Sequence, residues 1–216
     1  MKENIEHNLM MLVESSTRKA AIEEWKTAAE KQVAPLYNYR FDHIKEVVDL
    51  AKYIADGTNA NMDVVILASW LHDLAKPGVG GISAQQHGVA SAKLAEDILS
   101  AEGVDIEIID RVSDTIEKHV GLTIKEALEP IEAQVLWEAD KILKLGMIGL
   151  IQYILNGVRI EPGQSMVQIA ESLRNFLPLA SDIAECMVTE RGMKLAQQRL
   201  NTLREMSRCL DVELKL

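Results

Sequence analysis

Between Asn61 and Leu74 the chain reads Asn-Met-Asp-Val-Val-Ile-Leu-Ala-Ser-Trp-Leu-His-Asp-Leu. A segment this uniformly apolar, opened by a capping residue (Asn61 or Asp63), predicts a buried helix over Val64 to Leu74. Such a helix can be covered only by other helices or by a sheet. The rest of the sequence decides for helices: apolar residues recur at helical spacing, Ala, Leu, Glu, Lys and Met are frequent, and runs alternating with period two are nearly absent. Glycine (12) and proline (5) are scarce in 216 residues, and only 4% of residues are aromatic, so aliphatic side chains must fill the core. The expected fold class is all-α, a compact multi-helix bundle.

Punctuation residues divide the chain. Helices are expected over Glu3 to Ser15 and Arg18 to Val33, the second ended by Pro35. The next spans about Asn38 to Ala55, with Ile44, Val47, Val48, Ala51 and Ile54 on one stripe and His43 in its first turns. After the buried helix, Lys76-Pro-Gly-Val-Gly-Gly81 is the clearest loop; Ser83 then caps a helix from Ala84 to Glu102 that carries His87. Further helices are expected from Asp105 to His119, from Ile131 to around Leu155 carrying Asp140, and in the tail from Pro162 onward, broken at Pro178. No repeat or linker separates two domains, so residues 1–216 are expected to form a single domain.

The formal net charge of −10 disfavours a nucleic-acid polymer as partner, because a phosphate backbone selects a basic face. A small anionic ligand is still compatible if a divalent cation and a few Lys or Arg reverse the local field. Cys186 and Cys209 lack the spacing of a zinc site or disulfide framework and read as reduced thiols. Met1 to Met11 does not resemble a signal peptide and no run is apolar enough for a membrane span, so the expectation is a cytoplasmic protein with no membrane partner.

Of five histidines, four (His43, His72, His87 and His119) fall at or near the ends of four different expected helices. His72 and Asp73 close the apolar helix just before the glycine-rich loop, and delivering both from a buried helix requires partners, which a divalent cation can supply. Bundles build metal sites this way, with ligands projecting inward from several helices.

With His43, then Trp70-Leu71-His72-Asp73-Leu74-Ala75-Lys76, then Glu138-Ala139-Asp140-Lys141, the chain resembles the HD-domain superfamily of metal-dependent phosphohydrolases over roughly Tyr39 to Ile148. That resemblance implies an HD-like core at about 37–156 with flanking helices 1–36 and 157–216. It also implies one divalent ion held by His43, His72, Asp73 and Asp140, and a second held by His87 and His119 with Asp73 as bridge. The trinuclear cyclic-dinucleotide phosphodiesterases of the superfamily are not matched: Tyr39 stands where a glutamate is wanted, Lys118-His119 replaces a His-His pair, and the Gly-Tyr-Pro signature is missing.

Imidazole and carboxylate donors without thiolate suit Mn, Fe, Co, Ni or Zn, with Mg also admissible. Such a centre activates water and offsets charge on a phosphoryl oxygen. The expected activity is therefore hydrolysis of a small phosphorylated substrate, a nucleotide among the candidates, through phosphomonoester, phosphodiester or pyrophosphate cleavage. Asp73 and Lys76 are the expected catalytic residues. Lys76 leads the candidates for phosphate contact, followed by Arg40, Lys141 and Lys144, the last two also readable as surface charges. The alternative is a non-catalytic metal-binding sensor or scaffold.

Overall fold

A computed structural model describes residues 3–25, 38–75, 82–160 and 163–215; they form nine helices and no strand. These are α1 (Glu3–Trp25), α2 (Tyr39–Ala55), α3 (Met62–Leu71), α4 (His87–Ala101), α5 (Ile106–Lys118), α6 (Ile131–Ile142), α7 (Gly146–Ile160), α8 (Met166–Glu185) and α9 (Glu190–Leu214). The all-α expectation holds. Contacts group the chain into two compact units: residues 1–121 with 128–137, and residues 122–127 with 138–216.

In the first unit α3 is the central rod. Residues Val64 to Leu71 are all buried, and α3 packs against α1, α2, α4 and α5, which is why its sequence needs no polar face. Its start is fastened twice. The Asn61 carboxamide oxygen accepts from the Asp63 and Val64 amides, and the Asn61 amide donates to Glu132 Oε1 at 2.7 Å, an oxygen that also receives Arg111. Glu132 is buried, so two charge-assisted bonds offset its desolvation. The pairing of α4 with α5 is close because residue 88 is glycine: a Cβ there would lie 2.6 Å from Val120 Cγ2 and 3.1 Å from the Glu117 carbonyl oxygen.

In the second unit, α9 packs on α7 and α8. Buried Glu138 accepts from the amides of Val188 (2.7 Å) and Thr189 (3.0 Å) and from the Thr189 hydroxyl; that hydroxyl in turn accepts from the Gly192 amide at 3.0 Å and caps α9. A Cβ at residue 192 would fall on Glu138 Oε2, so glycine is required there.

Several boundaries differ from the sequence reading. The first helix does not stop at Ser15: Thr17 Oγ1 donates back to the Val13 carbonyl at 2.7 Å, and Leu9, Val13 and Ala21 carry a buried seam through the Ser-Ser-Thr stretch. The expected extension to Val33 and the stop at Pro35 lie outside the described residues. Helix α4 begins three residues later than expected, since Ser83 Oγ bonds the Gln86 side chain. One long helix after Ile131 is instead two, divided at Gly146, whose φ of 74° suits a residue without Cβ. Pro178 does not break the tail, because buried Ile169, Ala170 and Leu173 before it and Ala180 and Ile183 after it hold α8 on α9. That packing outweighs a proline penalty of about 3 kcal/mol. Neither Cys186 nor Cys209 forms a disulfide, and among the described residues no helix is long and apolar enough to cross a membrane.

Candidate metal centre

Four helix ends of the first unit meet around Asp73. His43 lies in the first turns of α2, below an N-cap in which Asn38 Oδ1 accepts from the Phe41 amide. His72 is the C-cap of α3 and Asp73 follows it; His87 is the first residue of α4; His119 is the C-cap of α5. Potential ligand atoms of His43, His72 and Asp73 all lie within 4.8 Å of one another, as do those of Asp73, His87 and His119. Asp73 is common to both groups. Its side chain and that of His87 stay 11% and 13% exposed, whereas His72 and His119 are enclosed, so the shared carboxylate forms the open side.

Three of the imidazoles are oriented by one local device. Nδ1 of His72 meets the Ser69 carbonyl at 2.8 Å, Nδ1 of His87 the Ala84 carbonyl at 2.6 Å, and Nδ1 of His119 the Ile116 carbonyl at 2.5 Å. A carbonyl only accepts, so each Nδ1 carries the proton and each Nε2 of the neutral ring presents a lone pair. The consequence is unusual: His87 Nε2 and His119 Nε2 face each other at 3.1 Å, with Asp73 Oδ1 at 3.6 and 4.0 Å from them. Two ring nitrogens and a carboxylate this close are compatible only with a positive charge among them, a shared proton or a metal cation. Donors about 2.0–2.1 Å from a shared ion sit roughly 3.0–3.4 Å apart, so the spacing of the two imidazole nitrogens fits a divalent cation, with the Asp73 carboxylate standing somewhat farther out. The backbone carbonyl on the far ring nitrogen is the support that metal-binding histidines ordinarily have. The donor set fits the ion that the sequence resemblance implies.

The rings also touch one another. His72 and His119 are edge-to-face with centroids 5.1 Å apart, His87 and His119 likewise at 4.9 Å, and His43 lies 5.9 Å from His72.

Among the other sequence candidates, Asp140 lies on the part of α6 that belongs to the second unit, is 6% exposed, and accepts from Lys141 Nζ. Lys141 is not the surface charge it can be read as: it is 4% exposed, drawn inward by that pairing. Arg40 is equally buried and Lys144 half-buried. Lys76 and the glycine loop after it lie outside the described residues. Two contributors were not anticipated. Tyr39 stacks on His43, a contact signalled only by their spacing of four in a helix, and Gly88 lets the ends of α4 and α5 approach.

An all-helical chain that gathers histidines from several helix ends around one carboxylate has the makings of a divalent-metal protein. The comparison with known families makes this specific: residues 40–145 match the model of the HD domain, and this stretch of the chain is an HD domain. The chain is 31% identical over 153 residues to a tRNA (cytidine(56)-2'-O)-methyltransferase of Thermoplasma volcanium; the aligned stretch is 65% of this chain but spans only 42% of that protein's length. Among solved structures it resembles Bacillus subtilis YpgQ in complex with ADP, with a TM-score of 0.67, 21% identity, and coverage of 96% of this chain and 97% of the other. An HD-superfamily hydrolase from Bacillus thuringiensis gives a TM-score of 0.64 at 18% identity, covering 96% and 98% of the two chains. A predicted HD superfamily hydrolase from an uncultured Thermotogales bacterium gives 0.59 at 19% identity, covering 91% and 92%. The fold is that of the HD-superfamily hydrolases.

Proposed function

We propose that the chain is a divalent-metal-dependent phosphohydrolase acting on a small, nucleotide-like phosphorylated substrate. One observation carries this reading: a single exposed-side carboxylate, Asp73, is shared by two donor groups whose imidazole lone pairs converge. In this reading Asp73 with His43 and His72 holds one ion, and Asp73 with His87 and His119 holds a second. Divalent ions there supply Lewis acidity, activating water and offsetting charge on phosphoryl oxygens. The chain's own contributions are distinct. Nδ1 clamps hold three rings in the ligating tautomer, and Asp73 orients both donor groups from the open side where substrate enters. Lys76, three residues past Asp73 in the sequence, provides a cation for a phosphate oxygen.

Support for a nucleotide comes from the fold relative crystallised with ADP, and the net charge of −10 favours a small substrate delivered with its cation over a polymer. A second reading, a non-catalytic metal-binding sensor or scaffold, is favoured by the methyltransferase relative, of which this chain matches less than half. In that case the domain serves a longer protein whose chemistry lies elsewhere.

The deciding experiment is a screen of metal-free protein reloaded with Mn, Co, Ni, Zn, Fe or Mg against phosphomonoesters, nucleotides and dinucleotides, with Asp73→Ala beside it. Metal-dependent phosphate or pyrophosphate release that Asp73→Ala abolishes supports the hydrolase. Full turnover in metal-depleted buffer refutes the metal reading, and tight metal binding without turnover on any substrate favours the sensor.

A further inference from the structure

Three histidines of the centre are held by a bond from Nδ1 to the carbonyl three residues earlier, but at His43 the structure shows another device. Tyr39, the first residue of α2, stands one turn before His43 on the same helix face, and its ring stacks on the imidazole with centroids 6.2 Å apart and planes 27° from parallel. His43 also meets His72 at 5.9 Å, tilted by 56°. The imidazole therefore touches both a phenol ring and a second ligand ring. His43 is 4% exposed and Tyr39 half-buried.

We propose that Tyr39 is a positioning residue for the first metal ion, acting through the face of its ring on His43; the inference rests on the metal reading given above. The physical reason is twofold. Stacking fixes the plane of the imidazole, so the nitrogen within reach of the His72 and Asp73 ligand atoms keeps its aim without paying rotamer entropy each time an ion arrives. An imidazole also gains positive character when it donates a lone pair to a cation, and the negative face of a phenol ring attracts positive charge. Stacking is thus stronger in the loaded than in the empty state. Only interactions that differ between the two states change affinity, and this one does.

The roles of ring and hydroxyl separate cleanly. Tyr39→Phe keeps the π face and loses only the hydroxyl. Tyr39→Leu keeps apolar cover and loses the face, and Tyr39→Ala loses both. Supports of this kind typically change metal affinity about 10–100-fold. The expected order of first-site affinity is Tyr and Phe equal within about twofold, with Leu and Ala weaker by roughly tenfold, the lower end of that range.

The test is titration of the metal-free full chain with Co(II), read by calorimetry and by the visible absorption of the ion, with circular dichroism confirming the helical fold of every variant. His43→Ala supplies the background for a double-mutant cycle. If Tyr39 acts through His43, then Tyr39→Ala weakens the first site in the wild type, shifts its absorption bands, and changes nothing further once His43 is gone. Equal loss with and without His43 overturns the proposal, as does Leu binding as tightly as Phe. If instead the wild type binds no divalent ion, the metal reading itself fails, a result distinguishable from failure of Tyr39 because it appears before any variant is made.

Discussion

Adding one methyl group at residue 88 should remove the second metal ion while sparing the fold. A Cβ on Gly88 would lie 2.6 Å from Val120 Cγ2, about 0.8 Å inside the 3.4 Å at which ordinary contact begins, and 3.1 and 3.3 Å from the carbonyl oxygens of Glu117 and Ile116. Val120 can turn away in part, but the carbonyls belong to the helix and move only with it. The Ile116 oxygen is the one that fixes His119 Nδ1, and His87 precedes the new side chain. The methyl therefore pushes apart the two rings whose Nε2 atoms stand at 3.1 Å. Metal–ligand distances tolerate only about 0.2 Å, so a separation of a few tenths of an ångström on each side takes the pair out of range. Overpacking costs about 1–3 kcal/mol, while replacing glycine by alanine in a helix returns up to about 1 kcal/mol. The net loss is near 1 kcal/mol, a fall of roughly 2–4 °C in Tm for a chain of this size. Calorimetric titration with Mn or Co should show two equivalents bound by the wild type and one by Gly88→Ala, with a modest shift in the melting curve. Unchanged stoichiometry with second-site affinity within twofold of the wild type would refute the reasoning.

Asp73→Ala should lose both ions and all hydrolysis together, since the residue is common to both donor groups; elemental analysis beside phosphate release checks it. Lys76→Ala should lower kcat/KM about 10–100-fold, the loss of one charge-assisted contact worth about 1.5–3 kcal/mol, and leave metal content unchanged. Glu138→Gln can still accept from the Val188 and Thr189 amides but returns an NH2 to the Thr189 hydroxyl, so urea unfolding should show a loss of about 1–3 kcal/mol. Chelation followed by readdition of metal at a hundred times its dissociation constant should raise stability by about 2.7 kcal/mol for each ion bound, or roughly 5–10 °C per ion in a melting curve.

The helical class and the set of histidines to watch were legible because their signals are local. An apolar run, a capping Asn61 and a His-Asp pair at a helix end each speak for themselves within a few residues. What stayed hidden depends on partners distant in sequence. Pro178 looks like a stop until α9 is seen holding the helix on both sides of it, and Lys141 reads as a surface charge until its burial is known. Gly88 carries no mark in the sequence that distinguishes it from a glycine tolerated in an early helical turn. Only the distance to Val120 gives it meaning. The separation of α6 from α7 was a question of backbone sign at Gly146, which periodicity does not report.

The clamps on His72, His87 and His119 each reach back three residues within or beside their own helix. Contacts of such short sequence separation form as soon as a helix end forms, long before the helices dock. Ring orientation is therefore inherited from the helix termini, and the long-range step of folding has only to bring already aimed donors within reach. In heating or in mild denaturant, the sequence of events runs backward in the same order. The centre then comes apart by the parting of helix ends, while each ring keeps the aim that its own helix end gives it.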